Sequence, residues 1–281
     1  MLYLLLAIAC STLITIIMRM SERHVKNEMG MFMANYAVCR VLSFLYMPKG
    51  TVDFVSGMSG GSLALWLGAV SGILYLTNFV FMKRNMIRNG IVLTSTFMKL
   101  GVLVPTLMAV LVFREMPKGT QMIGFGFALV GILVMYFEKQ ALKESDSILW
   151  LLLLLFVSGL TDSMANVFEK FGQEADKDAY LLITFAVAFV CAGGLTVKGN
   201  ERVRCKDLIA GAMIGIPNYY SARFLLASLS RLNAVLVYPM YSVATIIAVT
   251  ITGICIFKES ISKKKRYALL VIAFAMIFLN I

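Results

Sequence analysis

The chain has 281 residues, of which 60% are hydrophobic and 15% charged, with a mean hydropathy of +0.85 and a formal net charge of +11. Soluble domains are about 45–50% apolar and about 25% charged, so this balance excludes a water-soluble enzyme; disordered chains are poorer still in apolar residues. A polytopic membrane protein remains.

Crossing about 30 Å of hydrocarbon takes roughly 20 apolar residues in a helix. Reading from one charged cluster to the next gives ten such spans, at about 1–19, 29–48, 61–83, 89–113, 118–138, 147–170, 178–198, 206–229, 232–257 and 265–281. The first has no basic residue before Leu2 and no clear small-x-small cleavage motif, so it reads as a retained helix rather than a signal peptide. The spans are continuous apolar runs, not the alternating segments of a barrel, so the fold expected is an all-α integral membrane bundle. The loops are short and leave no room for an extramembrane domain.

Five cysteines are scattered through the chain without a CxxC pair, and the single histidine, His24, lies in a polar loop. No disulfide framework and no zinc site is expected from them. No GxxxxGK occurs, so the chain carries no P-loop of its own. No cofactor or metal is called for.

The ten spans divide into two halves of five, residues 1–140 and 145–281, and the halves resemble each other. Leu111-Val112-Phe113-Arg114-Glu115 closes the fourth span and Cys255-Ile256-Phe257-Lys258-Glu259 the ninth, 144 positions later. Gly68-Ala69 with Gly72 matches Gly211-Ala212 with Gly215 at an offset of 143, and Arg88 matches Arg231 at the same offset. An odd number of helices per repeat sets the halves in opposite orientation, an inverted repeat of the kind secondary transporters use around a midplane substrate site.

These motifs carry a resemblance. Lys99 to Pro105, Phe113-Arg114-Glu115, the run Gly124 to Gly131, Val237-Tyr238-Pro239 and Phe257-Lys258-Glu259-Ser260-Ile261-Ser262 together resemble the drug/metabolite transporter superfamily, in its ten-helix EamA-type form, over nearly the whole chain. Pro105 and Pro239 depart from the repeat, standing at different distances from their glutamates. The resemblance implies a multi-pass, gradient-driven transporter of a small molecule in a cell membrane, bacterial by this likeness and acting as a monomer or homodimer. It leaves the substrate open among amino acids, sugars, nucleotide-linked metabolites, amines and drugs. Arg40 falls where such proteins often carry an arginine.

Ionisable residues at membrane depth are costly and mark function by default. Here they are Arg40, Lys99, Asp162 and, towards the end of the eighth span, Arg223, with Glu169 near an interface. Arg40, Lys99 and Asp162 net positive, which suits an anionic or zwitterionic substrate. Asp162 is also the candidate for a coupling proton or cation. The aromatic and amide set argues otherwise. Tyr75 with Asn78, Asn218 with Tyr219, and Tyr238 with Tyr241 would suit an organic cation caged by rings beside Asp162. Pro217 and Pro239 are expected to interrupt their helices and free carbonyls for a cavity. Glu115 and Glu259 sit at helix ends, as caps for the next helix or as gates at opposite faces.

Of the 26 Lys and Arg residues, 17 fall in stretches after odd-numbered spans and 6 after even-numbered ones. The positive-inside rule then puts both termini outside, whereas the resemblance implies both inside, so orientation stays open. The basic charge is loop charge in a lipid-embedded chain, and nucleic acid is not an expected partner. A secondary transporter of a small polar metabolite leads. An integral-membrane enzyme lacks the cluster of acids and histidines it would need, and a channel lacks a polar stripe along one helix.

Overall fold

The computed structural model describes residues 1–22, 24–47, 61–114, 118–136, 145–199 and 201–258, and the single positions 267, 270, 271, 274 and 278. Nine α-helices are formed among them: α1 (Leu2–Ser21), α2 (Glu28–Leu45), α3 (Gly61–Leu100), α4 (Leu103–Leu111), α5 (Gly119–Tyr136), α6 (Ser145–Phe171), α7 (Lys177–Lys198), α8 (Cys205–Leu229) and α9 (Ala234–Cys255), with one 3-10 turn at Glu174–Asp176. No strand occurs among the described residues. Of the tenth expected span, Tyr267, Leu270, Val271, Phe274 and Phe278 are described, all helical. Phe278 stacks on Phe127 of α5 with ring centres 5.9 Å apart.

Among the described residues, five segments are long and apolar enough to cross a membrane: Leu2–Ser21, Leu63–Ile91, Leu149–Phe171, Glu174–Lys198 and Ala234–Cys255. Helices α2 and α8 are less apolar because they carry charged and amide side chains, Glu28, Asn35 and Arg40 on α2 and Asp207, Asn218 and Arg223 on α8. Asn35 on α2 and Asp207 and Asn218 on α8 are all buried.

Two sequence expectations change here. Residues 61–113 do not make two plain helices. The chain turns at Gly90, where φ is +77°, a conformation that glycine adopts without the Cβ clash other residues meet, and α4 starts afresh after Gly101 and Val102. Pro217 and Pro239 do not end their helices: α8 and α9 run through them. Each ring removes one backbone donor, but the neighbouring turns hold the path.

The bundle is organised by close helix pairs. A Cβ on Gly211 would lie 2.1 Å from the Met31 carbonyl oxygen, and one on Gly215 would lie 2.6 Å from that of Asn35, so α8 and α2 touch backbone to backbone. Gly72 stands in the same relation to the Thr184 carbonyl (2.4 Å), and Gly68 approaches that of Tyr180 (3.2 Å), pairing α3 with α7. Met31 and Asn35 are the fourth and eighth residues of α2; Tyr180 and Thr184 are the fourth and eighth of α7. In both pairs the register rises together, so the partners run parallel. Small residues permit this approach, and dispersion then acts over a close contact. Helix α1 crosses α8 in the opposite sense, Tyr3 stacking near Phe224 while Ser221 reaches the Ala7 carbonyl.

One end of the bundle is tied by polar caps. The Asn27 side chain accepts from the Gly30 N–H (2.7 Å) and donates to the Glu201 carbonyl (2.7 Å). The Asp207 carboxylate accepts from the backbone N–H groups of Arg204 (2.9 Å) and Lys26 (3.0 Å). The loop before α2 and the start of α8 are thereby pinned together, with orphan N–H groups satisfied as helix starts require. The opposite end holds Tyr3, Tyr46, Arg223 and Arg231.

Candidate functional site

Helices α1, α3, α6, α8 and α9 line a cavity of about 70 Å³ between them. Six of the sequence candidates line it: Tyr75, Asn78, Lys99, Asp162, Asn218 and Tyr241. The GxxxG contacts fix the helices that bear four of them. Tyr75 and Asn78 follow Gly72 on α3, and Asn218 follows Gly215 on α8. Lys99 arrives on the last turn of α3, beyond the Gly90 turn that redirects the chain.

Lys99 is 6% exposed. Its ammonium donates to Ser11 Oγ (3.2 Å) and sits 3.9 Å from the centre of the Tyr241 ring. A cation on the face of a ring is held by the ring's quadrupole, worth about 2 kcal/mol or more once desolvated. Asp162 faces the same space and feels the Lys99 charge. The two are nevertheless not an ion pair. Those found among the described residues are Arg19–Glu22, Lys177 with Glu169 and Glu174, and Arg223–Asp178. An ammonium and a carboxylate thus share one small cavity without being joined.

The polar groups behind them are held in place. Tyr238 is fully buried beside the cavity rather than lining it, and its hydroxyl donates to the Asp162 carbonyl (2.6 Å). The Asn218 amide donates to Asn35 Oδ1 (3.2 Å). Asn78 Oδ1 is buried and has no hydrogen-bond partner in its own chain, at the wall of the cavity. An unpaired buried acceptor is costly, so a solute or water that donates to it gains accordingly.

Two of the predicted residues form a different site. Arg223 pairs with Asp178 at the start of α7, donates to the Tyr219 hydroxyl (2.7 Å), and lies 4.9 Å from the centre of the Tyr46 ring. Tyr46 in turn stacks on Tyr219, ring centres 5.8 Å apart, and shares a hydrogen bond with Tyr220 (2.8 Å). Arg223 and Asp178 border a second cavity, of about 340 Å³, with Tyr3, Lys177 and Arg231.

Arg40 belongs to neither site. It is exposed, with its guanidinium 5.6 Å from the centre of the Phe189 ring, because Cys39 takes the inward position on that turn of α2. Glu115 and Glu259 lie outside the described residues.

Known proteins give the following comparison. A solved crystal structure, whose description names no function, superposes with a TM-score of 0.68 over 99% of this chain and 94% of its own, at 13% identity. That likeness shows a shared fold. A protein of Haemophilus influenzae described as uncharacterized is 25% identical over 271 residues, covering 92% of this chain and 91% of its own. No family model matches the chain.

Sequence reasoning passed over several members of both sites. Ser11, Thr15, Ser158, Thr161 and Ser221 also line the central cavity. Serine and threonine are common in buried helices and satisfy themselves on the preceding turn, as Thr161 does with the Val157 carbonyl (2.7 Å), so they give no distinct signal. Asp178 was hidden by its place at a helix start, where an acid reads as a cap. Lys83, counted with the loop charges, is 2% exposed within α3.

Proposed function

We propose that this protein is a gradient-driven secondary transporter of a small polar solute, working by alternating access, with the central cavity as its binding site. The observation that carries the reading is the unpaired Lys99 and Asp162 facing one hydroxyl-rich cavity. Charges buried in a bundle are expensive, and a structural role is met by pairing them. Left apart across a cavity, they suit a solute that brings its own two charges: a carboxylate or phosphate for Lys99 and an ammonium for Asp162. The substrate class is therefore anionic or zwitterionic, with the zwitterion favoured.

The matching glycine contacts, α3 on α7 and α8 on α2, support two inverted five-helix halves, as expected of a carrier of the drug/metabolite transporter type. The cavity draws on helices of both halves, so a relative tilt of the halves would open it to one side and then the other. On this reading the Arg223–Asp178 pair, beside the stacked Tyr46 and Tyr219, acts as a gate at the end that bears Tyr3. Several long apolar helices are compatible with the plasma membrane as the site of action.

A second reading is a carrier for an organic cation, supported by Tyr75, Tyr241 and Asp162 in one cavity. It is the weaker of the two, because the Lys99 ammonium already occupies the Tyr241 ring face.

The test is counterflow in proteoliposomes. Proteoliposomes of the purified protein, preloaded with unlabelled small zwitterions, should take up the labelled compound faster than unloaded ones, with saturation. Flux that stays linear with concentration indicates a channel, and absence of flux across zwitterions, anions and amines sinks the carrier reading.

A further inference from the structure

The first limb of α3 carries Arg84 and Arg88, one helical turn apart and both exposed. Their guanidinium carbons lie 4.8 and 5.8 Å from the centre of the Trp150 ring on α6. The indole is fixed from behind: Phe81 meets it edge-on at 5.4 Å, and the Asn85 amide donates to the Trp150 carbonyl (3.0 Å). Neither arginine takes part in any of the ion pairs found among the described residues. Next to them the surface turns apolar. Ile87 is 60% exposed, and Leu149 and Leu152 beside Trp150 are 57% and 50% exposed.

Two unpaired guanidinium forks over an indole, with an apolar skirt below, match a ligand with an anionic head and a hydrocarbon body. The planar fork fits phosphate oxygens bidentately, and tryptophan settles at headgroup depth. This end also bears Lys26, Arg202 and Arg204, where the loop before α2 meets the start of α8, and their positive charge draws anionic lipid. We propose that Arg84, Arg88 and Trp150 bind the phosphate headgroup of an anionic phospholipid, with its acyl chains along Ile87, Leu149 and Leu152. The site is independent of the transport cavity and rests only on the apolar helices lying in a bilayer.

The chain has two tryptophans, so Trp66→Phe leaves Trp150 as the sole indole. Trp66 is 69% exposed, and phenylalanine keeps its apolar contact with lipid. In phosphatidylcholine bilayers, phosphatidylglycerol with brominated chains should quench Trp150 several-fold more strongly than brominated phosphatidylcholine at equal mole fraction. The double variant R84Q/R88Q should erase that preference while tryptophan emission otherwise persists. Equal quenching by the two lipids overturns the proposal. Relief of the quenching by millimolar inorganic phosphate assigns the site to free phosphate and overturns the lipid assignment; no relief supports it. Native mass spectrometry of the unsubstituted chain gives a readout that does not depend on W66F: phosphatidylglycerol should be retained over phosphatidylcholine, and R84Q/R88Q should lose it.

Discussion

The Lys99 ammonium rests 3.9 Å from the centre of the Tyr241 ring, on the wall of the cavity it shares with Asp162. The ring stabilises the charge without neutralising it, which a carboxylate in the same place would do. Besides Ser11 Oγ and the Tyr241 ring, the ammonium faces the cavity rather than a paired acid.

This pairing predicts a graded series at position 241. Tyr241→Phe keeps the ring face and should change the KM for a carboxylate-bearing solute by no more than about twofold. Tyr241→Leu removes a desolvated cation–ring attraction of about 2 kcal/mol and should raise KM by roughly 30-fold. Lys99→Gln removes a charged hydrogen-bond donor worth about 1.5–3 kcal/mol and should raise it by roughly 10- to 100-fold. Counterflow rates with a zwitterion and with its uncharged analogue check the series. A uniform loss for both solutes would mean that Lys99 is structural.

The glycine contacts predict stability. Gly211→Ala sets a methyl group 2.1 Å from the Met31 carbonyl oxygen, and α2 and α8 must separate to take it. Overpacking of this sort costs about 1–3 kcal/mol. Gly194 is the control, since a Cβ there meets nothing within 4 Å and its helix continues around it. Gly194→Ala should leave the melting temperature in detergent unchanged or slightly higher, while Gly211→Ala lowers it by several degrees. Equal melting of the two variants would refute backbone contact between α2 and α8.

Much of this architecture was legible in the sequence, and the reasons for what was not are local. Continuous apolar runs can only be helices in lipid, so the elements were visible, and rare polar residues such as Lys99, Asp162 and Asn78 could be singled out before any geometry. Which way each pointed was not visible. Successive residues on a helix differ by about 100°, so Cys39 faces in and Arg40 out, and Asn218 lines the central cavity while Tyr219 turns to Tyr46 and Arg223. Helices α2 and α8 carry charged and amide residues, Glu28, Asn35 and Arg40 on one and Asn218 and Arg223 on the other, that lower their average hydropathy. Proline was read as a break, but a helix packed on both sides tolerates one missing hydrogen bond.

The Arg223–Asp178 pair predicts non-additivity. Both groups are partly buried, and Arg223 also donates to Tyr219. Removing one partner leaves the other without its charge complement, so Asp178→Asn and Arg223→Gln should each destabilise that end of the bundle, by about 1.5–3 kcal/mol less what solvent screening returns. The double variant should be better tolerated than the sum of the two, with a coupling energy of about 0.5–3 kcal/mol in a thermal-shift cycle. If the pair is a gate, the singles should also leak, with a substrate-independent efflux that a purely structural pair would not show. Additive melting shifts without leak would remove both roles.

Asp162 is where solute charge and coupling can be told apart. If the carboxylate receives the ammonium of a zwitterion, Asp162→Asn should raise the KM for the zwitterion by roughly 10-fold or more, while the deaminated acid, which needs only Lys99, is carried as well as before. If the carboxylate instead carries a coupling proton, Asp162→Asn should spare exchange of either solute and abolish accumulation driven by a pH gradient. The Tyr238 hydroxyl holds the Asp162 backbone and not its carboxylate, so the helix position should survive the substitution. Counterflow and gradient-driven uptake, measured side by side for zwitterion and acid, separate these outcomes. An Asp162→Asn variant with unaltered kinetics in both assays would leave the acid without a part in transport.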